Sequence, residues 1–240
     1  MTTTAQPALR PTLRATVAAH LLPGLLLLAV WAVGGPLLET AGAPPVLGLL
    51  LAVPIVLLPC ALLGASLARD AAEPGTPLLR FAGLHRLTAR DLLTRVLPLG
   101  LASAVLPGAA APLEPWSRGL LADRLPEWWD LGLPAGAGPL PVAVWIVCAV
   151  LLGPAVEELW FRGVLQPRLP GGRSARVVTG AVLFTVYHLW QPWAWPTVVL
   201  TALPLAVLRE TRAGTTGAVL AHVAVNALVL PLVLSGWLHR

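Results

Sequence analysis

Leu151-Leu152-Gly153-Pro154-Ala155-Val156-Glu157-Glu158-Leu159-Trp160-Phe161-Arg162 is the stretch on which the reading of this chain turns. Two adjacent carboxylates and an arginine interrupt a run otherwise apolar enough to cross a membrane. An ionisable side chain at membrane depth costs about 2.5–3.5 kcal/mol on insertion scales, so it marks a candidate functional site and calls for partners. Glu158 and Arg162 lie four apart and stack on one helix face, whereas Glu157 and Glu158 point about 100° apart. Glu158 with Arg162 makes a neutralising pair, which leaves Glu157 as the candidate base.

The surrounding composition fits a membrane setting. Of 240 residues, 57% are hydrophobic and only 11% are charged, and mean hydropathy is +0.79. A soluble domain carries about 25% charged residues. The expected fold is therefore all-α, a polytopic membrane helix bundle of about seven transmembrane helices, with six to eight as the range. Apolar runs place them near 17–38, 44–68, 92–112, 140–166, 176–190, 195–208 and 217–238. The first run is longer than a signal peptide's apolar region, so a retained helix is expected. Residues 69–91 mix charged and apolar positions, as an interfacial amphipathic helix would. Residues 1–139 are expected to form the N-terminal membrane helices and loops, and 140–238 the membrane core that carries the opening stretch, in one integrated membrane domain.

All sixteen basic residues are arginine, and their placement predicts orientation. Arg10 and Arg14, Arg69 to Arg90, Arg168 to Arg176, and Arg209 with Arg212 fall in alternate loops. Opposite loops hold Glu39, then Glu114, Asp123, Glu127 and Asp130 against Arg118 and Arg124. The positive-inside rule puts the N-terminus in the cytoplasm and the C-terminus outside, with only Arg240 against it. The expected location is a bacterial cell membrane, crossed several times. No motif and no basic patch with interleaved aromatics supports nucleic-acid binding. Cys60 and Cys148 sit in apolar runs without CxxC or Cys/His neighbours and read as small buried hydrophobes. Trp193, Trp195 and Trp237 read as interfacial anchors, and His20, His85 and His239 as residues near membrane edges.

Two further apolar runs carry polar residues, and their key positions lie four apart: Phe184 with His188, and His222 with Asn226. At ~1.5 Å per residue, Glu157 lies roughly 13 Å from Gln166, His188 roughly 18 Å from Arg176, and His222 roughly 15 Å from Arg212. Three separate segments thus bring polar groups to one depth, near the middle of a core about 30 Å thick. Taken singly each has a bland reading, as a helix end, an interfacial histidine, or an inter-helix hydrogen bond. Together they fit hydrolysis by an activated water. A carboxylate can serve as general base, and neutral histidines can bind the water or a metal. An Asn amide and a His N–H can donate to an oxyanion.

Glu157-Glu158-x-x-x-Arg162, Phe184-x-x-x-His188 and His222-x-x-x-Asn226, in this order, resemble the three motifs of the CPBP intramembrane proteases, the CAAX-protease-and-bacteriocin-processing or Abi family. The resemblance covers about residues 140–235. It implies a helical bundle with a cavity opening to the cytoplasm, and hydrolysis of a peptide bond in a membrane-associated protein or peptide within the lipid bilayer. Carried over, Glu157 and His188 would activate the water, and His222 and Asn226 would stabilise the oxyanion, with Glu158 beside them and Arg162 as its structural ion-pair partner. The family is described as metalloproteases, and a metal-free, glutamate-dependent mechanism has been argued for its CAAX branch. His188, His222 and Glu157 would be the donors to a zinc ion, and the sequence leaves both routes open. Three other functions use the same buried groups: a b-type haem protein with His188 and His222 as axial ligands, a proton-coupled transporter, and a catalytically silent immunity protein.

Overall fold

The computed structural model describes residues 13–126, 128–129, 131–133 and 136–234. Arg10, Glu127, Asp130, Trp237, His239 and Arg240 lie outside the described residues. Every regular element among those described is helical: α1 (Leu13–Thr40), α2 (Val46–Ala72), α3 (Ala89–Ala109), α4 (Leu113–Gly119), α5 (Pro139–Arg168), α6 (Arg173–Tyr187), α7 (Trp195–Arg209) and α8 (Gly214–Leu234). A membrane helix bundle is the result, as composition required.

A helix occupies each of the seven expected spans, but they are not equal. Five, α1, α2, α3, α5 and α8, are long and apolar enough to cross a bilayer. The other two, α6 and α7, have 15 residues each, which at ~1.5 Å per residue reaches ~22 Å, short of a core about 30 Å thick. Between them the chain leaves the helix at His188 (φ −76°, ψ 59°) and Gln191 (φ −142°, ψ 59°). Non-helical backbone is tolerated at membrane depth only where protein covers it. Here the carbonyls of His188, Trp190 and Trp193 accept from the Trp195 indole (3.1 Å), the Trp129 indole (2.9 Å) and the Ser117 hydroxyl (2.9 Å). Ser117 lies on α4, so the segment between α3 and α5 caps the α6–α7 turn.

Three local expectations change. Residues 69–91 form no long amphipathic helix: α2 ends at Ala72, Pro74, Gly75 and Pro77 follow it, and between α2 and α3 only Leu78–Phe81 is helical. Thr215 and Thr216 then bond the Ala82 and His85 carbonyls, tying that segment to the start of α8. Trp193 is buried under the Arg118 guanidinium, 5.5 Å from its ring, so it is a packing residue of the cap. His20 is fully buried on α1 against Phe161, its Nδ1 2.7 Å from the Thr16 carbonyl.

Helix α5 is the hub, touching α1, α2, α6, α7 and α8. It is wound wide in two places, Ile146–Leu152 and Glu158–Leu165, on either side of Gly153–Glu157. The first wide turn has a sequence cause. Pro154 has no N–H to give and its ring collides with the carbonyl four residues back. The Gly153 N–H accordingly reaches five residues back to Cys148. A Cβ on Gly153 would stand 2.7 Å from that same carbonyl oxygen, so only glycine fits. In the second turn the Gln166 N–H reaches back to Phe161. Each turn passes over one carbonyl, Ala149 and Arg162. Asn226 of α8 donates to the first at 2.8 Å, and Arg209 of α7 to the second at 2.7 Å. Wide turns of this kind concentrate at functional sites.

Candidate active site

Glu157 and Glu158 sit where the α-wound stretch of α5 meets its second wide turn, and both are buried. Their side chains diverge into different company. Glu158 accepts from His222 Nδ1 at 3.0 Å through one oxygen and lies 3.4 Å from Arg162 Nε through the other. Arg162 is itself wholly buried, and its guanidinium lies over the Phe184 ring at 4.5 Å. A cation against an aromatic face in a desolvated site gains about 2 kcal/mol, which offsets part of its burial. Among the described residues Glu158 thus has two cationic or N–H neighbours, and Arg162 is neutralised without reaching water.

Glu157 faces α6. Its Oε1 is 3.9 Å from His188 Nε2, too long for a direct hydrogen bond. The His188 ring is fixed from behind, with Nδ1 2.9 Å from the Phe184 carbonyl. A carbonyl can only accept, so Nδ1 carries the proton and Nε2 presents its lone pair towards Glu157 when the ring is neutral. His188 is the residue at which α6 ends, so the helix stops a little short of the expected position 190. Ending the helix there lets the consecutive Tyr187 and His188 both approach Glu157.

Phe184 holds the constellation together. Its ring lies 5.1 Å from Phe161, 4.8 Å from His188 and 6.2 Å from His222, besides the Arg162 contact. Asn226, partly buried one turn beyond His222, spends one amide N–H on Ala149 and keeps the other. The structure therefore brings together Glu157 with His188, and Glu158 with Arg162 and His222, while Asn226 is anchored on α5 upstream of the carboxylates.

In the sequence Phe184 marks a motif position without a task, Gln166 and Arg209 stand only as a helix end and a loop arginine, and Tyr187 has no assigned role. Gln166 continues the Glu158–Arg162 face by one turn, a spacing visible in the sequence. Its amide donates to the Ala206 carbonyl (2.9 Å) and to Glu210 (3.1 Å), which also takes Arg176 at 2.6 Å. This polar seam joins the site to the arginine-bearing end of α6. Burial pushes the Glu210 carboxyl up, but the bonds from Arg176 and Gln166 outweigh it and hold the group below the usual carboxylate range.

A zinc ion asks for three donors around one point, with His nitrogens at about 2.0–2.1 Å and carboxylate oxygens at about 2.0–2.2 Å. Among the described residues no three His, Cys, Asp or Glu side chains gather in that way. The donors at hand do not fit a metal in this arrangement, and no step below is routed through one.

No curated protein matches the chain significantly, and no solved structure does. A family model does match. Residues 139–228, which hold α5 and all three motifs, fit the family described as type II CAAX prenyl endopeptidase Rce1-like. Over that segment the chain is similar to that family, and its three motifs all fall within the matched residues.

Proposed function

We propose that the protein is an intramembrane endopeptidase that hydrolyses a peptide bond in a membrane-associated protein or peptide. The observation that carries this reading is the facing of Glu157 and His188 across 3.9 Å, with the His188 ring oriented by the Phe184 carbonyl. That span suits a water hydrogen-bonded to both groups. Glu157 takes a proton from the water as its oxygen forms a bond to the carbonyl carbon. The carbonyl π-electrons move onto oxygen, and the tetrahedral oxyanion is met by the remaining Asn226 N–H and, when its ring carries both protons, by His222 Nε2–H. Collapse breaks the C–N bond, and Glu157 returns its proton to the departing nitrogen. Donors fixed in a desolvated site stabilise such charge far better than water does. Glu158 holds His222 by its Nδ1–H and, with Arg162, keeps a neutral pair beside the reacting carboxylate.

The arginine distribution supports an approach of the substrate from the cytoplasmic side. The test compares protein termini in membranes from a deletion strain complemented with the wild-type gene or with Glu157→Gln. New termini that depend on Glu157 are expected; identical termini in the two strains would sink the protease reading.

A further inference from the structure

Tyr187 is the one tyrosine in the chain, and its side chain is wholly buried. It is clamped by aromatic rings: Phe161 at 4.7 Å, His188 at 4.9 Å and Trp190 at 5.1 Å. From the other side α1 comes so close that a Cβ on Gly24 would lie 2.3 Å from the Tyr187 carbonyl oxygen and 3.1 Å from its ring. Neither backbone nor ring has room to turn away. The hydroxyl stands beside the Glu157 carboxylate and, among the described residues, has no hydrogen-bond partner at bonding distance. A buried hydroxyl left unpaired is costly, so an ordered tyrosine normally aims at an acceptor. Two polar side chains flank this one, Glu157 and the Cys60 thiol. The carboxylate is the strong acceptor, and thiol sulfur a weak one.

We propose that Tyr187 is a positioning residue for Glu157: its hydroxyl donates to the carboxylate and fixes the orientation in which that carboxylate faces His188. The inference rests on the reading of Glu157 as the base. Hydrogen bonds in a substrate-free site are often long and tighten when the reacting groups are engaged. With Tyr187 on one side and His188 on the other, the carboxylate meets one donor that holds it and one ring that shares its water. Phenylalanine at this position would keep the ring stack and lose only the donor.

Because Tyr187 is unique, feeding 3-fluorotyrosine labels this residue alone, with no substitution. The fluorine resonance of purified protein is compared between wild type and Glu157→Gln, with Glu210→Gln as a control remote from the ring. A shift for Glu157→Gln and none for Glu210→Gln is expected; an unchanged resonance in Glu157→Gln overturns the proposal. Infrared difference spectra give the converse reading: the carboxylate band missing from Glu157→Gln should move in Tyr187→Phe, and a band that stays put overturns it. Cleavage of the peptide revealed by the terminus comparison should fall about tenfold in kcat in Tyr187→Phe with KM unchanged, the cost of about 1.4 kcal/mol in orientation. The spectra need no substrate, so they decide the placement of Tyr187 even if Glu157→Gln still cleaves. That last result would defeat the assignment of the base instead.

Discussion

Glu157 and Glu158 are neighbours in sequence, both buried, and opposite in circumstance. Glu158 is gripped by His222 and Arg162 at 3.0 and 3.4 Å. Glu157 has His188 at 3.9 Å and, among the described residues, no other cationic group within salt-bridge reach. One carboxylate is committed to the architecture, and the other is held in reserve with its oxygen facing a fixed imidazole. The difference follows from helix geometry. A step of about 100° sends adjacent side chains to different helices, Glu158 towards α8 and Glu157 towards α6.

If that division is right, the two positions should fail differently. Glu157→Gln is expected to lower the cleavage rate by about 10²–10⁴-fold, the range for a general base, while leaving the thermal midpoint in detergent nearly unchanged. Substitution on the Glu158 side should strike folding first. Glu158→Gln or Arg162→Met strands one charge in a buried site, and breaking such a pair costs about 3–5 kcal/mol. Thermal scans should then show the loss before any assay does. A Glu158→Gln protein as stable as wild type would erase the contrast.

Asn226→Ala should fall between the two classes. It removes an oxyanion donor, worth about 10²–10³ in kcat, and also exposes the passed-over Ala149 carbonyl, for which about 1 kcal/mol is expected. Arg209→Met strips the other wide turn of its partner at Arg162 and touches no reacting group, so it should change stability without a comparable fall in kcat. Equal loss of kcat in both would mean that Asn226 acts only by holding the turn.

The smallest effect belongs to the seam at the far end of α5. The folded-state pKa of Glu210 lies below its unfolded value, so its bonds to Arg176 and Gln166 add stability above the unfolded pKa. That contribution disappears as pH falls through the folded one. Partial exposure limits it to about 1 kcal/mol or less. Thermal midpoints of wild type and Glu210→Gln should converge as the solution is acidified, and a constant gap would argue that the Arg176 pair contributes nothing electrostatic.

Much of this was readable in advance because hydropathy and helix periodicity report burial and face. Seven apolar runs became seven helices, and the four-residue spacings put Glu158 beside Arg162 and Phe184 beside His188. The shortness of α6 and α7 was not readable: Leu189, Trp190, Trp193 and Ala194 keep the turn as apolar as the helices it joins. Gly153-Pro154 did signal a disturbed helix, yet which carbonyl it would free depends on winding that spacing rules take to be regular. Tyr187 was hidden for a related reason. A lone tyrosine among apolar neighbours reads as packing until a carboxylate from another helix is seen beside its hydroxyl. The burial of His20 was hidden because its own run does not show that Phe161 of another helix packs against it.

The wide winding of α5 has one more consequence. Each such turn absorbs one residue more than a regular turn, so the helix carries a phase offset as well as a sequence. Deleting a single apolar residue from Ile146–Leu152 would leave hydropathy almost untouched and let that turn close to regular winding. The upstream face would then swing by about 100° relative to Glu157 and Glu158. The number of residues in that turn is therefore itself a determinant of the site, independent of which residues they are.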